Sequence, residues 1–200
     1  MITGFILGAG RSERMGTLKQ LLPFGEVTVI EHTCRILTKS CLRSNVILVV
    51  GHCAKEITAR ISALSVRIAY NPDPGGDMLS SIQCGLAYTP HDNAILIALG
   101  GQPLVTSEIV NQLVQEYQRC PEGIVVPVYQ GKQGHPIILS PAYREELLFN
   151  SYPGGLKELR DHHIDSVRHV SVDTDGVLID MDYRHEYEAA LKQWEKDSQS

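Results

Sequence analysis

A short glycine-rich segment near the start of the chain carries the residues best suited to chemistry. From Gly8 to Lys19 the sequence reads Gly-Ala-Gly-Arg-Ser-Glu-Arg-Met-Gly-Thr-Leu-Lys, so three cations, Arg11, Arg14 and Lys19, follow closely spaced glycines. Glycines let backbone N–H groups approach an anion, and cationic side chains supply charge-assisted hydrogen bonds to phosphate oxygens. The spacing matches neither the dinucleotide fingerprint nor a P-loop. The segment is a candidate triphosphate site; the alternative is a surface loop with solvated charges.

The elements that must hold this loop follow the pattern of a doubly wound α/β sheet, in which short apolar runs alternate with segments of helical period. The runs Val46–Val50 and Ala94–Leu99 are apolar at every position. This predicts central strands covered by helices on both faces. We predict strands at residues 3–7, 45–50, 66–70, 94–99 and 123–127, and helices at 29–39, 54–63, 79–87 and 107–119.

The second half of the chain departs from this rhythm. A glycine-rich turn at residues 129–136 leads into Ile137–Leu139, which predicts a hairpin. The expected fold is therefore a Rossmann-like three-layer α/β/α arrangement with a mostly parallel, mixed sheet. We expect one domain over residues 1–195 and a frayed tail at 196–200. The remaining predicted elements are helices at 141–149, 155–162 and 183–196 and strands at 167–172 and 177–180.

The composition is that of an ordinary globular protein. Of 200 residues, 43% are hydrophobic and 20% are charged, which argues against disorder and membrane insertion. The opening apolar stretch lacks a basic flank and is interpreted as a first strand rather than a signal peptide, so we expect a cytoplasmic protein. The net charge of −5 disfavours nucleic-acid binding. Five cysteines without a CxxC pair predict neither a disulfide framework nor a zinc site.

The string at residues 5–23 closely resembles the LAAGxSxRMGxxKxLLP signature of the nucleotidyltransferases that act on the molybdenum cofactor, especially their cytidylyltransferase branch. The resemblance implies a loop that wraps the triphosphate, with Arg14 and Lys19 as catalytic cations. Members that use CTP tend to have alanine at the position of Ala9, and members that use GTP tend to have glycine. Gly8 stands where alanine is more usual. Four loop residues would border the nucleotide: Leu7, Gly8, Ala9 and Gly10.

The resemblance covers nearly the full chain. Residues 71–86 are similar to the family's N…GMxSSLxxGL stretch, which implies that Ser81 and a helix start lie beside the nucleotide. Residues 134–136 match a GHP turn near the second substrate. For His135 the alternative is a turn histidine that makes a backbone hydrogen bond. The resemblance implies five acceptor-binding residues: Gln102, Pro103, Gly134, His135 and Pro136.

The chain departs from the family pattern at the expected metal site. Nucleotidyl transfer uses Mg²⁺ to offset charge on the phosphates. The family's main carboxylate lies in a GDQPLV segment, but residues 100–105 read Gly-Gly-Gln-Pro-Leu-Val, so Gly101, which would border the nucleotide, replaces the aspartate. Metal stabilisation is worth several kcal/mol, so losing a ligand would lower the rate by on the order of a thousandfold. The acid and arginine of the family's GDxGAR segment are also absent from residues 151–156.

Two acids near the C-terminus remain as candidates for a weakened Mg²⁺ site. Asp180 and Asp182 are spaced i and i+2, and in a strand these positions face the same side. The resemblance of residues 180–187 to the family's DIDTPEDY segment favours Asp182. The alternative is two solvated acids at a strand end. The charged residues at 160–163 are interpreted as a solvated helix end, and Asp175 as a turn residue.

These observations support two main hypotheses. The first is a Mg²⁺-dependent nucleotidyltransferase that moves CMP from CTP to the phosphate of molybdopterin and releases pyrophosphate. The second is a catalytically weakened nucleotide- or molybdenum-cofactor-binding protein of the same fold, for which a molybdenum-containing hydroxylase is a candidate partner. A third hypothesis keeps the transferase but changes the acceptor to a sugar phosphate or an isoprenoid-precursor phosphate. A monomer or weak dimer suits either main hypothesis.

Overall fold

A mixed eight-stranded sheet organises the computed structural model, which describes residues 1–73 and 77–197. The strands are β1 Ile2–Leu7, β2 Pro23–Phe24, β3 Val27–Thr28, β4 Val46–Val50, β5 Arg67–Tyr70, β6 Ala94–Leu99, β7 Ile124–Tyr129, β8 Lys132–Gln133, β9 Ile137–Leu139 and β10 Val167–Ser171. The α-helices are α1 Val29–Lys39, α2 Ala54–Arg60, α3 Met78–Leu86, α4 Ser107–Arg119, α5 Arg144–Phe149, α6 Gly155–His162 and α7 Arg184–Asp197.

The sheet has the order β10-β7-β9-β6-β1-β4-β5, and β8 pairs with β7. Strands β6, β1, β4 and β5 are parallel, whereas β9 runs antiparallel to both β6 and β7. The predicted mostly parallel, mixed sheet is confirmed. All five residues of β4 are buried, as expected for a parallel strand covered on both faces.

Helices cover the sheet on both faces because apolar side chains alternate along its strands. In β1, Ile6 belongs to one buried cluster and Phe5 to the other. Side chains that pack in the Ile6 cluster come from α1 and α4: Ile30, Leu37, Val110 and Leu113. Side chains that pack in the Phe5 cluster come from α3, α5 and α6: Ile82, Leu86, Leu147 and Leu159.

The strand order reverses next to β1. After β1 the sheet grows through β4 and β5 on one side, and then β6 is added on the other side. In open α/β sheets, a crevice that binds ligands forms at the carboxyl ends of the strands flanking such a switch point. Here those ends are Leu7 and Leu99, and the Gly100 N–H donates to the Leu7 carbonyl at 3.0 Å. The glycine-rich loop begins at this switch point.

The strand predicted at residues 177–180 is wrong. Asp175–Val177 form a 3₁₀ turn, and the next five residues have no regular structure. The segment is held by cross-links to other loops rather than by a neighbouring strand, because the Val177 carbonyl accepts from the His135 N–H and the Met181 N–H donates to the Gly101 carbonyl. These bonds are 3.0 Å and 3.2 Å long.

The ends of two predicted helices also differ. Helix α2 ends at Arg60 instead of residue 63, and α7 continues to Asp197, so residues 196 and 197 are helical rather than frayed. The rest of the predicted tail, residues 198–200, lies outside the described residues. None of the described helices is long and apolar enough to cross a bilayer.

Candidate functional site

The glycine-rich loop folds around the side chain of Gln20, which is 2% exposed. The Gln20 amide donates to the Gly10 carbonyl at 3.0 Å and accepts from the Ser12 hydroxyl at 3.1 Å. The same hydroxyl accepts from the Lys19 N–H at 3.0 Å. Buried polar groups are generally hydrogen-bonded, and here those bonds define the path of the loop. Sequence reasoning missed Gln20, for which the only signal was its position next to Lys19 in the signature.

Replacement of Gln20 by alanine is expected to lower the free energy of unfolding by about 1.5 kcal/mol, because a buried group that loses its partner carries a desolvation cost. Urea denaturation measures this change. Gln115→Ala, at an exposed position on α4, is the control and is expected to stay within about 0.5 kcal/mol of the parent. Equal stability of the two variants would show that Gln20 does not hold the loop.

A cleft opens at the switch point between β1 and β6. The structure brings seven of the predicted site residues to its wall: Leu7, Ala9, Gly10, Lys19, Ser81, Gly101 and Asp180. Sequence reasoning did not assign five further lining residues: Gln20, Asp77, Met78, Leu99 and Gly100. The glycine-rich loop, the end of β6 and the start of α3 therefore meet at one site.

The start of α3 is fixed beside this cleft. Asp77 is the N-cap residue, and its carboxylate accepts from the Ser80 N–H at 2.9 Å. The Asn71 amide donates to the hydroxyls of Ser80 and Ser81 at 3.1 and 3.2 Å. The predicted proximity of Ser81 and a helix start to the cleft is thus seen in the structure. Helix N-termini favour anions because their N–H groups lack intrahelical partners.

Gly8 does not line the cleft. It packs against β4 instead. A Cβ atom at this position would lie 3.1 Å from Leu48 Cδ1 and 3.3 Å from the Val49 carbonyl oxygen. The Gly8 N–H also donates to that carbonyl at 2.9 Å. Packing against β4 therefore leaves little room for a Cβ atom at this position.

The side chain of Lys19 lies between two carboxylates, Asp180 and Asp182, which come from the C-terminal part of the chain. Its Nζ lies 2.7 Å from Asp180 Oδ1 and 2.9 Å from Asp182 Oδ1, and its side chain is 13% exposed. Burial alone would lower the pKa of Lys19, but attraction and hydrogen bonds to the two carboxylates outweigh it and raise the pKa. The hydrogen bond from Lys19 lowers the pKa of Asp182, although burial opposes the shift. Both groups are charged near neutral pH.

Arg14 lies outside the cleft wall. Its guanidinium donates to Asp182 Oδ2 at 2.7 Å, and its side chain is 65% exposed. Exposed ion pairs contribute little to stability. Arg14 can therefore reorient toward an incoming anion at small cost.

The two acids do not offer an open metal site in this arrangement. Proteins hold Mg²⁺ by one or two carboxylates together with phosphates and water. The pair matches that count, but Asp180 Oδ1 and both oxygens of Asp182 already accept from Lys19 or Arg14. No group of three or more His, Cys, Asp or Glu residues suited to a metal occurs among the described residues. A divalent ion therefore does not fit while Lys19 keeps its place.

The five predicted acceptor residues are not part of the cleft wall. The His135-Pro136 peptide bond is cis, and the His135 N–H bonds to the Val177 carbonyl. A Cβ on Gly134 would lie 2.3 Å from the Val177 oxygen, which excludes any larger residue there. The side chains of Gln102 and His135 each keep a buried polar atom, Oε1 and Nε2, without a hydrogen-bond partner. Pro103 lines a separate groove.

Burial, together with the nearby positive charge of Arg160, lowers the pKa of His135 to about 4. Residues 160–163 were expected to form a solvated helix end, and Asp161 and His162 are exposed, but Arg160 is half-buried and its Nε is buried without a partner. Its neighbour His163 is also engaged, 2.8 Å from the carboxylate of Glu146. Arg160 and the imidazole of His135 thus present hydrogen-bonding groups that no described residue satisfies.

A mostly parallel, mixed sheet with a glycine-rich loop and a cation at its switch point is typical of an α/β nucleotide-binding domain of the nucleotidyltransferase type. The chain belongs to the MobA-like NTP transferase domain family, whose model matches residues 4–169.

Two similar proteins are named for different activities. The molybdenum cofactor cytidylyltransferase of Escherichia coli is 29% identical over 136 residues, which are 68% of each chain. The nicotine blue oxidoreductase of Paenarthrobacter nicotinovorans is 30% identical over 152 residues, which are 72% of each chain. Because these names describe different reactions, similarity to the two proteins does not by itself assign a reaction to this chain.

The structure is also similar to that of a Mycobacterium tuberculosis protein. The TM-score is 0.81 at 28% sequence identity, and the match covers 96% of this chain and 97% of the other. A complex of that protein with manganese matches with a TM-score of 0.78 at 26% identity, over 96% and 97% of the two chains. The fold is therefore shared over nearly the full chain with a protein that has also been solved in complex with manganese.

Proposed function

We propose that the protein transfers CMP from CTP to the phosphate of a molybdopterin-type acceptor and releases pyrophosphate. The observation that carries this proposal is the cleft at the switch point, where the glycine-rich loop, Lys19 and the start of α3 converge. That combination suits a polyphosphate, because backbone N–H groups and a cation face one space. The identity with the cytidylyltransferase relative supports the choice of acceptor.

In the proposed complex the base lies against Leu7 and Ala9 at the end of β1, and the phosphates lie toward Gly10, Lys19 and the first turn of α3. An oxygen of the acceptor phosphate attacks the α-phosphorus of CTP, a bond to that phosphorus forms, and the bond to the β-phosphate oxygen breaks. A phosphate monoester is largely ionised near neutral pH, since its second pKa is about 6. The reaction therefore needs no side-chain nucleophile or general base.

Unsatisfied polar groups mark the proposed acceptor side. Gln102 Oε1, His135 Nε2 and Arg160 Nε are all buried without protein partners. An unpaired buried polar group is costly and calls for a partner such as a ligand or water. Arg160 lies four residues after Leu156, which stands where the family has the arginine of its GDxGAR segment, and it is a replacement cation for the acceptor phosphate.

A second candidate function is nucleotide or cofactor binding with little turnover, in the service of a molybdenum-containing hydroxylase. It is favoured by one observation, the engagement of both C-terminal carboxylates by Lys19 and Arg14. An oxidoreductase activity like that named for one relative has less support, because the sequence has no dinucleotide fingerprint.

Calorimetric titration with CTP and GTP, followed by a pyrophosphate-release assay with molybdopterin, tests the proposal. We expect CTP to bind about tenfold more tightly than GTP, a difference of about 1.4 kcal/mol, and pyrophosphate to appear only with the acceptor present. The variant Ala9→Gly is expected to reduce the difference between the affinities for CTP and GTP. Nucleotide binding without pyrophosphate release would favour the second candidate, and absence of nucleotide binding would reject both.

A further inference from the structure

We propose that the ammonium group of Lys19 is the resident cation of the Asp180–Asp182 pair and takes the place of a divalent metal. Divalent ions would then bind the nucleotide-free protein well only after Lys19 is removed. The inference rests on the proposed function only in placing this pair beside the nucleotide, and its test uses no nucleotide.

The first step of the argument is the coordination of the ammonium. Lys19 Nζ is within hydrogen-bond distance of one oxygen from each carboxylate, at 2.7 and 2.9 Å. The bond from the Met181 N–H to the Gly101 carbonyl holds these acids beside the end of β6. In the nucleotide-free protein Lys19 is thereby a cation held between two carboxylates.

The second step concerns Gly101. A Cβ atom built there would lie 2.6 Å from Lys19 Cε, 2.7 Å from Lys19 Nζ and 2.7 Å from Asp180 Oδ1. The backbone of Gly101 does not have a positive φ, so its conformation does not demand glycine. The missing side chain instead provides the room that the Lys19 side chain occupies. The position of Lys19 between the two acids therefore depends on the absence of a side chain at residue 101.

The third step is charge balance. Two carboxylates face two cations, Lys19 and Arg14, so the cluster is neutral as it stands. A divalent ion on the same oxygens would add two positive charges next to a buried ammonium, and like charges at such distances repel strongly. Lys19 and a divalent metal ion therefore cannot bind the Asp180–Asp182 pair at the same time. A mycobacterial protein of the same fold has been solved as a complex with manganese.

The experiment is Mn²⁺ binding to the nucleotide-free protein, followed by the loss of the free-ion signal in electron paramagnetic resonance. The variant Lys19→Met frees the pair and is expected to bind Mn²⁺ at least about tenfold more tightly than the parent, which corresponds to about 1.4 kcal/mol. Adding Asp180→Asn and Asp182→Asn to this variant is expected to abolish the gain. Arg14→Met is the matched control, since it also removes a cation from Asp182 but leaves Lys19 in place, and its Mn²⁺ affinity is expected to change less than about threefold.

Tight Mn²⁺ binding by the parent, or no gain in Lys19→Met, would overturn the inference. If Lys19→Met fails to fold, Lys19→Gln serves in its place. A further readout on the parent is nuclear magnetic resonance of the lysine ammonium groups, where Lys19 is expected to give a slowly exchanging signal that disappears in the variant with both acids changed to asparagine. Failure of CTP to bind would reject the proposed function while leaving these metal measurements intact.

Discussion

The variant Arg144→Met is expected to unfold with a free energy about 3 kcal/mol below that of the parent, because it leaves buried carbonyls without a charged donor. Arg144 is 8% exposed. Its guanidinium donates to the carbonyls of Leu86, Thr89 and Pro90 at 2.6, 3.1 and 3.3 Å. These carbonyls belong to the C-terminal end of α3 and the turn after it. A cation is favourable at a helix C-terminus, so the charge and the hydrogen bonds act in the same direction.

Urea denaturation measures the effect, and Arg119→Met provides the control. Arg119 lies in α4 with a 69% exposed side chain and pairs with Glu116 on the same helix. Its replacement is expected to change the stability by less than about 0.5 kcal/mol. Because α3 forms one wall of the cleft, Arg144→Met is also expected to weaken CTP binding. Equal losses in the two variants would mean that Arg144 does not anchor α3.

The sequence predicts the central strands and the glycine-rich loop after β1 because these depend on local patterns. Apolar runs identify β4 and β6, and a glycine-rich loop directly after β1 can only lie at the carboxyl end of that strand. Since carboxyl ends of neighbouring parallel strands share one edge, Ala9 and Gly101 had to approach each other. The placement of Ser81 follows in the same way from the start of α3.

The partners of Lys19 could not be predicted, because they depend on contacts between distant segments. Asp180 lies 161 positions further along the chain. Its expected place in a strand was wrong, yet the two acids still converge, because they share the lysine rather than a strand face. A sequence motif assigns the lysine to a phosphate and the acids to a metal. The structure shows that the lysine and the two acids bind each other.

The half-buried position of Arg160 could not be predicted for a related reason. Its charged surroundings at residues 160–163 are typical of a solvated helix end, and one face of α6 is indeed exposed. Whether a guanidinium lies on the exposed face or beneath a neighbouring turn depends on the turn that contains His135, which comes from another part of the sheet. Local composition carries no information about that contact.

Acidification from pH 7 to pH 4.5 is expected to lower the free energy of unfolding of the parent by about 2.5 kcal/mol through the titration of His135 alone. The pKa of this imidazole is lowered by burial, and then by Arg160, to about 4 in the folded protein. Its unfolded value is about 6.5, so between these values the unfolded chain binds a proton that the folded protein excludes. Stability therefore falls as the pH decreases from about 6.5 and levels off below about 4.

Urea denaturation of the parent and of His135→Gln at both pH values isolates this contribution from that of the carboxylates, which both proteins share. The variant is expected to lose about 2.5 kcal/mol less than the parent on acidification. His91→Gln, at an exposed position, is expected to behave like the parent. If His135→Gln lost as much stability as the parent, the imidazole would be accessible to protons in the folded state. In the proposed acceptor subsite, a His135 that is neutral near pH 7 would offer the acceptor phosphate a hydrogen bond and leave the positive charge to Arg160.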